Sequence, residues 1–160
     1  MLERISHLID PSKIDFIISN HVEMDHSGGL PKLMELAKNA KIITSPNGKK
    51  GLVAHFKKNW NFMVVKSGDT LNISKRTLQF VLTPMVHWPR CYANCQPEDK
   101  ILFSNDAFGQ HLATSERFDG EYPLNTILNE AEKYYANIVL PYSKQVIKAL
   151  DAVSGWILKL

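Results

Sequence analysis

Residues 18–33 read ISNHVEMDHSGGLPKL. Two histidines, His21 and His26, and two carboxylates, Glu23 and Asp25, fall within six positions. The run before them, Ile14 to Ser19 (IDFIIS), is short, apolar and rich in isoleucine, the signature of a buried strand. Pro31 then opens KLMELAKNA; proline suits a first helical turn, and Leu33, Met34 and Ala37 give an apolar face. The crowded segment is therefore a strand-to-helix loop. Isolated loop histidines and acids are ordinarily solvated surface residues, but four ligand-type side chains in one such loop point to a metal. Side chains two apart share a side of an extended segment. His21, Glu23 and Asp25 are thus expected to converge, with Val22 and Met24 turned away. His26 is displaced toward the other side, where it can serve a second, adjacent centre. An imidazole with two carboxylates is a hard ligand set that suits iron or manganese at least as well as zinc, and copper(I) poorly.

Outward from this loop, Lys41 to Thr44 (KIIT) reads as a second strand. Ser45-Pro46 is a cap and start for a helix to about Phe56, although Gly48 and Gly51 weaken it. Phe62 to Val65, Thr70 to Ile73 and Thr77 to Leu82 are meandering strands, separated by Ser67-Gly68-Asp69 and Ser74-Lys75. Lys100 to Ser104 is another buried strand, and helices are expected over Leu124 to Ala136 and Tyr142 to Leu160. This alternation, with an antiparallel-looking block in its middle, predicts a layered α/β (α+β) domain. Two strand ends add candidates: His87 follows LTPMV, and Asp106 follows LFSN. Loops past strand ends are where layered α/β folds place functional groups. Alone, either residue carries almost no signal. A carboxylate between two ions can bridge them; Asp25 and Asp106 are the candidates, and Asp106 is preferred.

The chain has 160 residues, 44% hydrophobic and 22% charged, which predicts one globular domain over 1–160. A net charge of +3, with Lys49-Lys50 and Lys57-Lys58 as short pairs, does not give the clustered basic face of a nucleic-acid binder. No apolar run approaches the ~20 residues of a membrane span. MLERISHLIDPSK has no signal-peptide character. Two cysteines, Cys91 and Cys95, spaced by four, fit neither C-x-x-C nor a disulfide framework, so a reducing cytoplasm is expected. Their ordinary reading is buried packing; the sharper one is a redox-sensitive thiol pair.

The motif H-x-E-x-D-H, His21-Val22-Glu23-Met24-Asp25-His26, resembles the signature of the flavodiiron proteins, oxygen and nitric oxide reductases built on the metallo-β-lactamase fold. Hydrolytic members of that superfamily usually carry histidine where this chain has Glu23. The resemblance continues through HWP (His87 to Pro89), PEDKILFSNDAFGQH (Pro97 to His111), SERFD (Ser115 to Asp119) and YYANIVLPYSK (Tyr134 to Lys144), and covers nearly all the chain from about residue 10. It implies a partial αββα sandwich. It implies that His21, Glu23 and His87 bind one iron, that Asp25 binds a second with His26 beside it, and that Asp106 bridges. It further implies two non-haem irons, O2 or NO as substrate, and FMN supplied by a partner or another domain. A flavodoxin-like or rubredoxin-like protein would donate electrons.

Set against that family, the chain departs in three ways. The family's further histidine on the second iron lies after the final helix, and neither His111 nor His55 takes that role; His111 is expected to line the pocket and His55 to lie on a helix surface. Few strands precede the ligand loop, so a half-built sandwich with self-association, or a fragment, is expected. A flavodoxin-like domain is expected to be absent, and RCYANCQ, Arg90 to Gln96, stands where a more acidic, aromatic and methionine-bearing segment is expected. Two rival functions follow. One is a single-metal binding module using His21, Glu23, His87 and Asp106; the other is a zinc-type hydrolase, against which Glu23 argues.

Overall fold

The computed structural model describes residues 1–87 and 91–157. Trp88 and Pro89 of the HWP segment, Arg90, and the last three residues of the expected final helix lie outside the described residues. Two sheets form the centre. The first is parallel, in the order β1 (Phe16–Ile18), β2 (Lys41–Thr44), β3 (Phe62–Val64), with Ile17 opposite Ile42 and Ile42 opposite Phe62. The second is antiparallel, in the order β4 (Thr70–Asn72), β5 (Thr77–Leu82), β6 (Tyr92–Gln96), β7 (Ile101–Phe103). The helices are α1 (Leu2–Leu8), α2 (Met24–Ser27), α3 (Leu30–Leu36), α4 (Pro46–Phe56), α5 (Leu124–Tyr134) and α6 (Ser143–Ile157).

Successive strand residues face opposite sides of a sheet, and a sheet covered on both sides reads as unbroken apolar sequence. β2 shows this directly, since Ile42 and Ile43 are both fully buried. Ile42 packs with Val22, Leu30, Met34 and Leu52 under α3 and α4. Ile43 packs with Val65, Leu78, Phe80 and Tyr92, where the two sheets meet. Outside the second sheet, α6 lies against β5, and Val146 and Ala149 join Val86, Ala107, Tyr134 and Val139 in a separate cluster. The layers are therefore helix, sheet, sheet, helix. α1 covers one end, with Leu2 and Ile5 against Leu33, Ala37 and Ala40.

Ser45 caps α4 as its sequence predicts, its Oγ accepting the Gly48 amide at 2.9 Å. Gly48 is needed there: a Cβ would stand 2.2 Å from Thr44 Oγ1. The glycine that weakens the helix thus lets it start hard against the end of β2.

Three elements differ from expectation. β6 is a full strand in a segment with no strand signal, because all five residues are buried, Asn94 and Gln96 included. Burial on both faces erases the alternation that would reveal it. α1 is likewise additional. Near the C-terminus the helix ends at Tyr134; a π turn (Tyr135–Val139) and a 3-10 turn (Leu140–Tyr142) lead into α6. Pro141, which lacks an N–H, sits at the start of that tighter turn. The two lysine pairs, separate in sequence, line one groove along α4 with Val53, Ala54 and Val64. Among the described residues, no helix is long and apolar enough to cross a membrane.

Candidate metal centre

The chain leaves β1 by crossing between sheets. The Ser19 amide bonds Ile43 O at 2.9 Å, and Asn20 O accepts from the Tyr92 amide at 3.3 Å. That crossing carries His21 into the interior, its side chain wholly buried. Val22 turns into the core as expected. Extension then stops. Glu23 is the last extended residue (φ −60°, ψ 151°) and the N-cap of α2, its carbonyl accepting from Ser27 N at 2.8 Å. Ser27 Oγ in turn donates to Val22 O at 2.9 Å. His21 and Glu23 therefore converge, with His21 Nε2 2.9 Å from Glu23 Oε2.

Asp25 departs from the expected alternation because it is already helical. Its side chain is 74% exposed and reaches His26 Nε2 at 3.5 Å. Helical placement also turns His26 inward enough for its ring centroid to lie 5.0 Å from that of His21, edge to face. His26 thus stands beside His21 and Asp106.

Asp106 arrives from the second sheet in the 3-10 turn Asn105–Phe108 just past β7. Asn105 adopts φ +49°, a left-handed conformation that asparagine tolerates well. Its side chain locks the turn: Nδ2 donates to Tyr92 O at 2.8 Å, and Oδ1 accepts the Asp106 amide at 2.7 Å. From the other side, the Tyr134 hydroxyl donates to Asp106 O at 3.2 Å. The carboxylate so fixed lies 3.6 Å from His21 Nε2 and 3.7 Å from His87 Nε2, both through Oδ2. His26 Nε2 is 3.1 Å from each of its oxygens.

One donor atom each from His21, Glu23, His87 and Asp106 lies within 4.8 Å of the others, with His26 and Asp25 adjoining. Residues from β1's exit, β5's exit and β7's exit thus meet at one end of the sandwich. Imidazoles and carboxylates clustered in this way are a donor set whose counter-charge is a cation.

Tyr134 forms one wall, its ring edge-to-face with His87 at 6.2 Å and with His111 at 5.1 Å. Burial first, then the nearby Asp106, Cys91 and Glu23, push its hydroxyl up to about 12. His111 is exposed and flanks the pocket through Tyr134, while His55 lies exposed on α4. Neither joins the cluster.

Three residues at the site escaped the sequence reading: Tyr134, Asn105 and the sulfur of Cys91. Asn105 had a usable signal, since an Asn-Asp pair after a strand favours a left-handed turn. Tyr134 had none, because a helical tyrosine reads as core. Both cysteines are buried and neither is in a disulfide; Cys91 directly precedes β6 and Cys95 lies within it. Four residues of extended chain separate their Cα atoms by roughly 13 Å, too far for a disulfide. They are therefore not placed to bridge one another.

The family described as ODP family beta lactamase matches residues 1–157. The chain is 45% identical over 152 residues to rubredoxin-oxygen oxidoreductase of Megalodesulfovibrio gigas, covering 94% of this chain and 38% of that protein. To the nitric oxide reductase of Moorella thermoacetica it is 40% identical over 154 residues, covering 96% and 39%. The crystal structure of the flavodiiron protein from Giardia intestinalis superposes with a TM-score of 0.92 at 36% identity, over 97% of this chain and 38% of that one. This chain therefore spans less than two-fifths of the length of these relatives. Its layers are those of the metallo-β-lactamase-like cores of flavodiiron proteins. The chain belongs to the ODP beta-lactamase family, within which these flavodiiron proteins are its relatives.

Proposed function

We propose that this chain is the metal-binding unit of an oxidoreductase that reduces O2 or NO at two adjacent iron ions. The observation that carries this reading is the position of Asp106. Its Oδ2 faces His21 and His87, while His26 lies 3.1 Å from both its oxygens. A carboxylate shared between two sets of nitrogen donors is what a bridge requires. His21, Glu23 and His87 would hold one ion; Asp25, with His26, would hold the other. Glu23, Asp25 and Asp106 would offset three of the four positive charges of two divalent ions. That lowers the cost of keeping those charges beside the fully buried His21 ring.

When bound, two iron ions would supply electrons to a small diatomic oxidant. The chain's own residues do the rest. Tyr134 and Asn105 fix the bridging carboxylate from two sides. Val22 and Val86, both buried, keep water from the rear of the site. Glu23 and Asp106 remain partly exposed, leaving an approach for a diatomic molecule.

Relatives named as a rubredoxin-oxygen oxidoreductase and a nitric oxide reductase support both substrates. The name of the first also supports electron delivery from a rubredoxin-like donor; a flavodoxin-like donor, and FMN supplied by a partner or another domain, belong to the same reading. Two cysteines outside any disulfide fit a cytoplasmic setting. Partly exposed Ile101 and Phe103 on the sheet-edge strand β7 fit contact with a second copy.

One observation favours a rival, the single-ion binding module. Its four donors converge, whereas Asp25 is largely solvated. Metal analysis decides between them. After anaerobic ferrous loading and desalting, the diiron reading expects two ions per chain, falling to one or none in Asp106→Ala. One ion in the wild-type chain supports the binding module, and none overturns both readings.

A further inference from the structure

Cys91 and His21 stand 70 positions apart in the sequence, yet Cys91 Sγ lies 3.1 Å from His21 Nδ1. Both residues are about 2% exposed. The two nitrogens of the His21 ring thus face different groups. Nε2 faces carboxylate oxygens of Glu23 at 2.9 Å and Asp106 at 3.6 Å, and Nδ1 faces the sulfur. A neutral imidazole that ligates through Nε2 carries its proton on Nδ1, and that N–H needs an acceptor.

Without an ion, the proton on Nε2 can be donated to Glu23, leaving Nδ1 as the acceptor. A thiol is a weak donor and a weak acceptor, so Cys91 can partner either tautomer by rotating its S–H. Simple space filling does not require this geometry. Cys95, on β6, is equally buried.

We infer that Cys91 is a positioning residue for the metal centre: its sulfur accepts the Nδ1 proton of His21 and holds the ring with Nε2 turned to the ion. This rests on the metal reading above. Partners that orient a ligating histidine from behind typically contribute 10–100-fold in metal affinity, and Cys91 is expected to fall in that range.

The test uses the full chain loaded with Co(II), which reports ligand geometry by its visible spectrum and shifts nearby proton resonances. Cys91→Ala is expected to weaken Co(II) binding by roughly 10–100-fold. The exchangeable His21 Nδ1 proton, assigned by its loss in His21→Gln, is expected to exchange with D2O markedly faster. Cys91→Ser keeps an acceptor and should restore both properties to near wild type. Cys91→Val, which fills the space without an acceptor, should behave like alanine, so the outcome does not hinge on a cavity. Cys95→Ala is the control and should leave both unchanged. Wild-type binding and exchange in Cys91→Ala or Cys91→Val overturn this inference alone. A wild-type chain that binds no Co(II) overturns the metal reading and this inference together.

Discussion

Glu23 joins two roles in one residue. Its backbone ends the extended segment and caps α2, and its carboxylate turns back onto His21. A histidine there would supply a third imidazole and move the set toward zinc. Glu23→His is therefore expected to lower the iron-to-zinc ratio retained from an equimolar mixture by on the order of tenfold, measured by elemental analysis. Tyr134 makes a different point. Its hydroxyl bonds the Asp106 carbonyl, so Tyr134→Phe should cost about 1 kcal/mol in urea unfolding. Its titration is raised to about 12 in the folded chain. A raised value means that the folded state holds the proton more tightly. That contribution is complete below about pH 10, the ordinary tyrosine value, and is lost as pH rises through about 12. The urea midpoint should accordingly fall above about pH 10, and less steeply in Tyr134→Phe. At this scale the ligand loop was legible because its crowding has no bland explanation. Tyr134 and Cys91 were not, because their roles depend on partners 28 and 70 positions away.

At the scale of elements, hydrophobic periodicity placed β5 over its full length and the other recognised strands to within a residue or two, and it found α4 with its serine cap. It failed where two-sided burial takes in polar residues. β6 contains Asn94 and Gln96 at the centre of a sheet, and nothing in YANCQ alternates. Local extension was also assumed for too long: α2 begins at Met24 and takes Asp25 out of the His21–Glu23 side. β6 nevertheless ties the molecule together. Tyr92 is fully buried, and its hydroxyl donates across the sheets to Ile43 O at 2.9 Å. Tyr92→Phe leaves that carbonyl with the Ser19 amide alone and should cost about 1–1.5 kcal/mol. Arg76 and Asp99 make a shorter contact, 2.6 Å, near the β4–β5 turn, but both are substantially exposed. Arg76→Ala should therefore cost less than Tyr92→Phe despite the shorter distance. Urea titration of the two variants side by side checks the ordering.

For the whole molecule, three strand exits carry the ligand set to one end of the sandwich, and only the fold brings His21, His87 and Asp106 together. Sequence alone supplied the residue types and their strand-end positions. The separations between sheets, which make Asp106 the meeting point, come from the packing of Ile43, Phe80 and Tyr92 between them. Because the site spans both sheets, metal binding and folding are linked. Ion present at 100 times its dissociation constant should add about 2.7 kcal/mol, or roughly 5–10 °C in thermal midpoint for a chain of this size. The most direct test of the central claim is Mössbauer spectroscopy of the chain loaded anaerobically with iron-57 and then oxidised, read with its iron content. The account predicts two irons per chain in a single exchange-coupled, diamagnetic pair, lost in Asp106→Ala. One iron per chain, or two that remain magnetically isolated, would contradict it.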